Sequence, residues 1–454
     1  MPLLTDDYTI TTGIRTIDQD GGTFRINRKP ELLKAPLYFG QRFPLDSLSV
    51  SLLAPTERDI MRELLAVKKM NGNGMRMSVH WSDNSGYDGT NDPRFLELAD
   101  QLGLMYIWTT ASWIRVRTPF TTDFEGLPKY VRQARNSPSI VIWQTSNHPD
   151  LSRWDEAMEY YRRIYNIIYP LDSTRLITPA ADYRHTGPHN DDGTLDKNGK
   201  PDPNCDPVWT APRIARGSMD YPTGFGQDWE YLRRWPFPKK WKGNVPINDY
   251  LTSKKRAYFN FEHEEAIGQM NWNLYKGSPI YKYHSYEWNY DEGSIGRLLT
   301  CDEWRESQAW QAFSAYECIR KMRWLDYDGL SWCCMWGGPN MGTYQKPLVD
   351  CWGYKKLVYY TTQMGFQPML AGSKDVDMVY GPGDKPMVIA MNIGEARTVN
   401  VVLTITNADG KKVYRKKYPK VSLPEGRTTV EVGKLQIPQL PDGYYFFNYE
   451  IQQD

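Results

Sequence analysis

Short apolar runs alternate with amphipathic stretches along most of this chain, and this alternation limits its fold more than any other feature. The runs predict buried parallel strands, and apolar residues at i, i+3, i+4 spacing predict crossover helices. Eight such strands close a (β/α)8 TIM barrel, so the sequence predicts an α/β fold with this barrel at residues 35–365. The predicted strands are Leu37–Gly40, Gly74–His80, Leu104–Trp108, Ile140–Thr145, Leu176–Ala180, Gly217–Tyr221, Ala257–Glu262 and Gly329–Met335. The predicted helices are Thr56–Met70, Pro93–Leu102, Trp154–Tyr169 and Glu303–Lys321.

The two ends of the chain have a different pattern. Residues 1–34 predict a short β-strand junction with a tight hairpin turn at Asp20–Gly22. From about residue 370 apolar positions recur with period two, as in Val399–Ile405, and a turn signal follows at Asn407–Gly410. Residues 370–454 therefore predict an immunoglobulin-like β-sandwich domain after the barrel.

Charge and composition exclude several classes of function. Lys and Arg total 55 against 54 Asp and Glu, so no strong field is present to attract nucleic acid. The sequence has no run of 18 apolar residues, so it predicts no membrane span. The six cysteines form no Cys-x-x-Cys pair, and we predict neither a metal nor a cofactor. The loop at 184–216 weakly resembles a calcium loop at Asp196–Asp202, but the terminal Glu of such loops is absent.

Aromatic residues favour carbohydrate as the ligand. The chain has 17 Trp and 31 Tyr, and large rings with polar edges suit ligands that offer both hydroxyls and C–H faces. The alternative is that most of these rings fill the core.

Polar residues follow several of the predicted strands, at the end where TIM barrels carry their active sites. Glycosidic cleavage normally uses two carboxyl groups, and Glu262 ends an apolar strand that would leave its carboxylate at the barrel mouth. The alternative is that Glu262–Glu265 is a solvated acidic loop. The fourth and seventh strands face each other across an eight-stranded ring, so their ends can flank one bond. The other polar residues after strands are His80, Asn147, His148, Tyr221 and Glu264.

Several stretches, in order along the chain, resemble glycoside hydrolase family 2, the β-galactosidase, β-glucuronidase and β-mannosidase family. They cover residues 12 to about 362. The stretches are Thr12–Ile17, Asp100–Leu104, Asn136–Trp143 with Asn147, Leu171–Thr178, and Leu348–Asp350 with Lys355, Lys356, Tyr359 and Tyr360.

This resemblance implies a retaining enzyme for β-linked sugars with Glu262 as its nucleophile. It also implies that Asn147 contacts the 2-hydroxyl of the sugar, that Arg76 supports the nucleophile and that Trp332 forms the floor of the sugar subsite. Tyr221 would lie beside the nucleophile. The family would place the protein in the periplasm or outside the cell, although no signal peptide is visible in this sequence.

The sequence departs from the family at the proton donor. The family has Glu directly after the Asn of the fourth strand, whereas this chain reads Asn147-His148-Pro149-Asp150. An imidazolium with a pKa of about 6.5 is a competent general acid, so His148 is one candidate donor. Asp150, Glu264 and Glu287 are the others.

Two further departures leave the function open. The spacing from Arg76 to His80 is one residue longer than usual, which on a strand reverses the direction of His80. The amino-terminal sugar-binding sandwich of the family is not visible, so this chain is a fragment, a shorter variant, or one completed by a partner or by its own oligomer. The hypotheses are a glycoside hydrolase, a catalytically degenerate carbohydrate-binding barrel, and a protein-interaction module.

Overall fold

The computed structural model of this chain describes a barrel domain followed by a domain of antiparallel strands. The described residues are 12–38, 56–77, 92–109, 124–145, 154–178, 211–218, 256–263, 268, 270–274, 304–332, 334–336, 347–350, 353–374 and 379–453.

Parallel strands form the wall of the barrel. One sheet has five strands in the order β5 (Leu37–Tyr38), β6 (Gly74–Met77), β7 (Met105–Thr109), β8 (Ile140–Gln144) and β9 (Leu176–Thr178). The other has four, in the order β10 (Arg216–Ser218), β11 (Tyr258–His263), β12 (Gly329–Trp332) and β4 (Leu33–Lys34). All eight predicted strands have a counterpart, so β6, β7, β8, β9, β10, β11 and β12 are the second to eighth barrel strands.

The prediction of one continuous eight-stranded sheet is not met in the described residues. The first barrel strand is divided into β4 and β5 around Pro36, which has no amide hydrogen to donate to a ladder. Between β9 and β10 only a bridge forms: Ile177 N–H donates to the Arg213 carbonyl and Ala215 N–H to the Ile177 carbonyl, both at 2.8 Å. Arg213 has a φ of 70°, which no regular strand adopts. The described strands therefore form two separate parallel sheets, and they do not close into one ring.

Alternate residues of the strands pack in two apolar layers, one inside the barrel and one between the strands and the helices. Inside the barrel, Leu33, Ile107, Ile142, Leu176 and Phe259 form one cluster, with Phe24 from the amino-terminal segment packed against it. A larger cluster includes Met75, Met77, Trp108, Trp143 and Tyr258 together with residues of the surrounding helices. Because Met75 and Met77 belong to the outer layer, Arg76 between them lies on the inner face of β6.

Helices cover the outer layer, and their ends follow local sequence signals. These are α1 (Glu57–Lys69), α2 (Pro93–Leu102), α3 (Leu127–Ala134), α4 (Trp154–Leu171), α5 (Trp304–Trp324) and α6 (Leu357–Gly365). Thr56 forms a capping box with Asp59, while α2 begins at Pro93 after the Asp92 cap and ends at the left-handed Gly103. The four predicted helices are present within a few residues, and α3 and α6 are additional.

The amino-terminal segment forms a small sheet of β1 (Ile17–Asp18), β2 (Arg25–Ile26) and β3 (Lys29–Pro30).

After the barrel, the chain forms two antiparallel sheets that share one core. One sheet has the order β13 (Leu370–Ser373), β14 (Met387–Gly394), β17 (Gly426–Lys434), and the other has β16 (Lys412–Leu423), β15 (Arg397–Asn407), β18 (Tyr445–Gln453). Val388, Ala390, Val401, Leu403 and Ile405 lie in the core shared by both sheets. This arrangement is a two-sheet sandwich; its immunoglobulin-like topology stays a prediction.

Candidate functional site

Arg76 joins the second, fourth and seventh barrel strands through the interior. Its side chain has no exposed surface. The Nε–H donates to Oε1 of Gln144, the last residue of β8, at 2.7 Å, and Nη1–H donates to the carbonyl of Phe261 in β11. One guanidinium therefore reaches the carboxyl end of the fourth strand and the residue directly before Glu262.

The seventh strand is irregular around position 262. Asn260 pairs with Leu330 and His263 with Trp332, so three steps along β11 correspond to two along β12. A bulge of this kind changes the direction of side chains and often occurs beside active sites. The backbone of Glu262 lies within this irregularity, while the side chains of Glu262 and His263 lie outside the described part of the chain.

Of the other predicted site residues, Trp332 lies in the described part of the chain and the rest lie outside it. Trp332 ends β12, is 2% exposed and packs in the outer apolar cluster; its role as the floor of a subsite stays a prediction. Outside the described residues lie His80, Asn147, His148, Asp150, Tyr221, Glu264 and Glu287, and also the weak calcium-loop match at 196–202.

A buried lysine connects the segments that follow the seventh and eighth strands. Lys356 Nζ donates to the Gly268 carbonyl at 2.8 Å, and Gly268 is a few residues beyond Glu262. Burial lowers the pKa of Lys356 to about 7, although Asp350 and Cys334 act in the opposite direction. The sequence places Lys356 in a family-like stretch without indicating a role. Its contact with Gly268 indicates that it connects the segments after the seventh and eighth strands.

The family-like stretches meet at the opposite end of the barrel, where the fourth strand begins. Arg15 donates to the carbonyls of Pro138 and Ile140. Arg175 Nε–H also donates to Ile140 at 2.9 Å, and its Nη1 contacts Asp172 Oδ2 at 2.5 Å. Burial alone would raise the pKa of Asp172, but the Arg175 charge and the hydrogen bonds hold it below its usual value. Arg15, Asp172 and Arg175 of these stretches therefore hold the start of the fourth strand in place.

One cavity among the described residues lies between the barrel and the sandwich. It has a volume of about 130 Å³, and its lining includes Arg323, Trp324, Asp326, Asn392 and Arg427. Within the described ranges, no group of three or more His, Cys, Asp and Glu side chains could hold a metal ion. No helix in those same ranges is both long and apolar enough to cross a membrane.

Parallel strands, crossover helices and an appended two-sheet domain define a TIM-barrel protein with an accessory β-domain. The family model described as glycosyl hydrolases family 2, TIM barrel domain, matches residues 121–197. A β-galactosidase from Oenococcus oeni is 28% identical over 191 residues, which are 38% of this chain and 16% of that protein. A β-glucuronidase from Paenibacillus borealis is 26% identical over 190 residues, 38% of this chain and 29% of that protein.

Solved structures resemble the whole described fold. The β-D-mannosidase from Dictyoglomus thermophilum has a TM-score of 0.61 at 17% identity, covering 99% of this chain and 52% of that one. An exo-chitosanase from Amycolatopsis orientalis has a TM-score of 0.59 at 14% identity, covering 97% and 50%. This chain thus spans about half the length of these structures and under a third of the curated relatives. The sequence matches agree with the resemblance of the family-like stretches to glycoside hydrolase family 2 over residues 121–197 and over 38% of the chain, and the solved structures share its fold.

Proposed function

We propose that this chain cleaves a β-linked sugar from an oligo- or polysaccharide by a retaining mechanism with Glu262 as nucleophile. In this proposal the two parallel sheets close into one barrel around the sugar. Arg76 carries the proposal, because its guanidinium lies inside the barrel and binds the carbonyl directly before Glu262. A buried cation favours the ionised form of a nearby carboxylate, and a nucleophile must be ionised to attack.

The second catalytic group in the proposal comes from the end of the fourth strand. Gln144 ends β8 and shares the Arg76 guanidinium with Phe261, so residues that follow Gln144 start close to the seventh strand. His148 is four positions further on and replaces the Glu of the family pattern. His148 would protonate the leaving oxygen, with Asp150, Glu264 or Glu287 as alternative donors, and Asn147 would bind the sugar beside it.

The test of the nucleophile is Glu262→Gln, assayed with a panel of aryl β-glycosides and polysaccharide fragments. Turnover should fall by about 10³-fold or more while sugar binding measured by calorimetry persists, because the amide keeps the shape but cannot attack. The control is Glu395→Gln, an exposed glutamate of the sandwich. Full turnover in Glu262→Gln would reject Glu262 and move the assignment to Glu264.

Stereochemistry provides an independent measurement. Proton NMR of the first product should show the same anomeric configuration as the substrate, since a retaining enzyme passes through a covalent glycosyl intermediate. An inverted product would contradict the nucleophile role even if Glu262 proved essential.

The proton donor is tested with substrates that differ in leaving group. His148→Ala should slow cleavage of sugar–sugar bonds by about 10²- to 10⁴-fold but spare dinitrophenyl glycosides, whose leaving group needs little protonation. Asp150→Asn is the matched variant, because it alters the other nearby candidate. Equal losses on both substrate types in His148→Ala would argue against a general acid at 148.

A second function, sugar binding without cleavage, is favoured by the single observation that His148 stands where the family has its acid. Incubation with an activated 2-fluoro glycoside separates the two functions, because only a competent nucleophile becomes labelled. A mass increase on the peptide that contains Glu262 supports hydrolysis, whereas unlabelled protein that still binds sugar supports the binding barrel.

A further inference from the structure

We infer that Arg427 of the sandwich and Asp328 of the barrel are positioning residues that hold the seventh barrel strand, and with it Glu262, in register. The catalytic consequence rests on the proposed function. The structural part does not depend on it.

Arg427 reaches from β17 into the base of the barrel. Its side chain is 7% exposed, and its Nη2 lies 2.7 Å from Oδ1 of Asp328. The Nε–H donates to Asp326 Oδ1 at 2.8 Å, and the Nη1–H donates to the Glu31 carbonyl at 2.9 Å. One guanidinium from the second domain thus binds two segments of the first. A lysine offers a single ammonium and could not match two directed N–H donations together with an ion pair.

Asp328 passes this contact on to the seventh strand. It directly precedes β12 and has no exposed surface. Its Oδ1 accepts the Phe24 amide and its Oδ2 accepts the Tyr258 amide, both at 2.8 Å. The Asp328 amide in turn donates to the Tyr258 carbonyl at 2.7 Å. Both backbone groups of Tyr258, the first residue of β11, are therefore bound by one residue.

Charge explains why the two residues act as a unit. Burial alone would lower the pKa of Arg427, but Asp328 and Asp326 hold it above its usual value. An aspartate without exposed surface is tolerated only with a cation or several donors around it. Arg427 supplies the cation, while the Phe24 and Tyr258 amides supply donors.

The irregularity of β11 makes its amino-terminal end decisive. Pairing with β12 shifts between Asn260 and His263, so the ladder at the carboxyl end does not fix the register by itself. A slip of one residue moves every side chain of a strand to the opposite face. The contact at Tyr258 lies on the near side of the shift, where residues 258–260 also pair with β10, so it strengthens the end of the strand from which the bulge leads to position 262.

The first experiment measures hydrogen exchange in the full chain. Asp328→Asn retains the shape but exchanges one acceptor oxygen for an amide group, so one backbone N–H loses its partner. Amides of residues 258–263 should exchange about tenfold faster or more, while those of 105–109 in β7 stay unchanged. The control is Glu431→Gln, which breaks the exposed Lys374–Glu431 pair of 2.8 Å on the same strand as Arg427. Unchanged exchange at 258–263, or equal acceleration in both strands, would overturn the inference.

The second experiment measures catalysis below the melting temperature of each variant. Asp328→Asn should lower kcat about tenfold or more with KM within about twofold, because a displaced nucleophile impairs the chemical step more than binding. Arg427→Lys should retain more kcat than Arg427→Met, since it keeps the charge. Normal kcat alongside faster exchange would refute the catalytic consequence. If the unmodified chain hydrolyses nothing, the proposed function fails, and the exchange result alone decides the positioning role.

Discussion

Two buried arginine–aspartate clusters fix the barrel, and they differ in how far apart their members lie along the chain. In the local cluster, Arg175 and Asp172 are three residues apart and contact the start of the fourth strand. In the interdomain cluster, Arg427 is 101 residues from Asp326 and, with Asp328, contacts the start of the seventh. The first can form as soon as one crossover folds, whereas the second requires the sandwich to be in place.

The clusters share a position in the fold despite this difference. Each lies at the amino-terminal end of a strand whose carboxyl end carries predicted catalytic groups. TIM barrels commonly separate stability at one face from chemistry at the other. Both strands proposed to flank the sugar thus have a buried charge pair at their base.

The largest expected effect comes from breaking the local cluster. Arg175→Met leaves the Asp172 carboxylate buried without its cation, and this should lower the free energy of unfolding by about 3–5 kcal/mol. Urea denaturation followed by circular dichroism measures the loss. Arg162→Met is the matched control, since the exposed Arg162–Glu159 pair has the same spacing at 3.4 Å and should cost less than about 1 kcal/mol. Equal losses in both variants would mean that burial of the local cluster is unimportant.

The second-largest expected effect is a pH dependence of stability that comes from Lys356. This buried cation can lose its charge, whereas Arg175 and Arg427 keep theirs. The pKa of Lys356 falls from 10.5 to about 7 in the folded chain. Between these values the unfolded chain binds more protons than the folded one, so stability should rise with pH, by up to about 1.4 kcal/mol per unit. Below pH 7 the cost of burying the charge is fully felt; above 10.5 it is absent.

Urea denaturation at pH 7, 8 and 9 measures this slope. Lys356→Met, which cannot titrate, should remove the part of the slope that comes from the lysine. Parallel curves for both proteins would show that Lys356 keeps its charge when buried, as the arginines of the two clusters do.

The two clusters also show which parts of the molecule can be predicted from the sequence. Strand positions and the helix Pro93–Leu102 follow from local spacing, and the structure has them. The Arg175 cluster lies in family-like stretches. Nothing near Arg427 indicates that it meets Asp328, because partners so distant in sequence leave no local pattern. The predicted first strand starts at Leu37, after Pro36, so the pairing of Leu33 and Lys34 with β12 is not predicted from the sequence.

For the candidate site, the position of catalytic groups at strand ends indicates Glu262 from the sequence alone, and the family resemblance adds Arg76. The Arg76 contacts with Gln144 and Phe261 agree with a site between the fourth and seventh strands. The shift between Asn260 and His263 is not predictable in this way, since bulges depend on the partner strand rather than on the sequence of one strand.

The smallest expected effect tests whether the clusters are independent. Among the described residues, the hydrogen bonds and ion pairs of Arg175 and Arg427 share no partner, and substitutions without shared partners usually add within about 0.5 kcal/mol. The loss of unfolding free energy in the Arg175→Lys, Arg427→Lys double variant should therefore equal the sum of the single losses within that margin. Asp328→Asn with Arg427→Lys is the positive control and should deviate, because these residues touch. A coupling above about 1 kcal/mol between the clusters would mean that the barrel wall transmits strain from the fourth strand to the seventh, and the sandwich would then influence both strands proposed to flank the sugar.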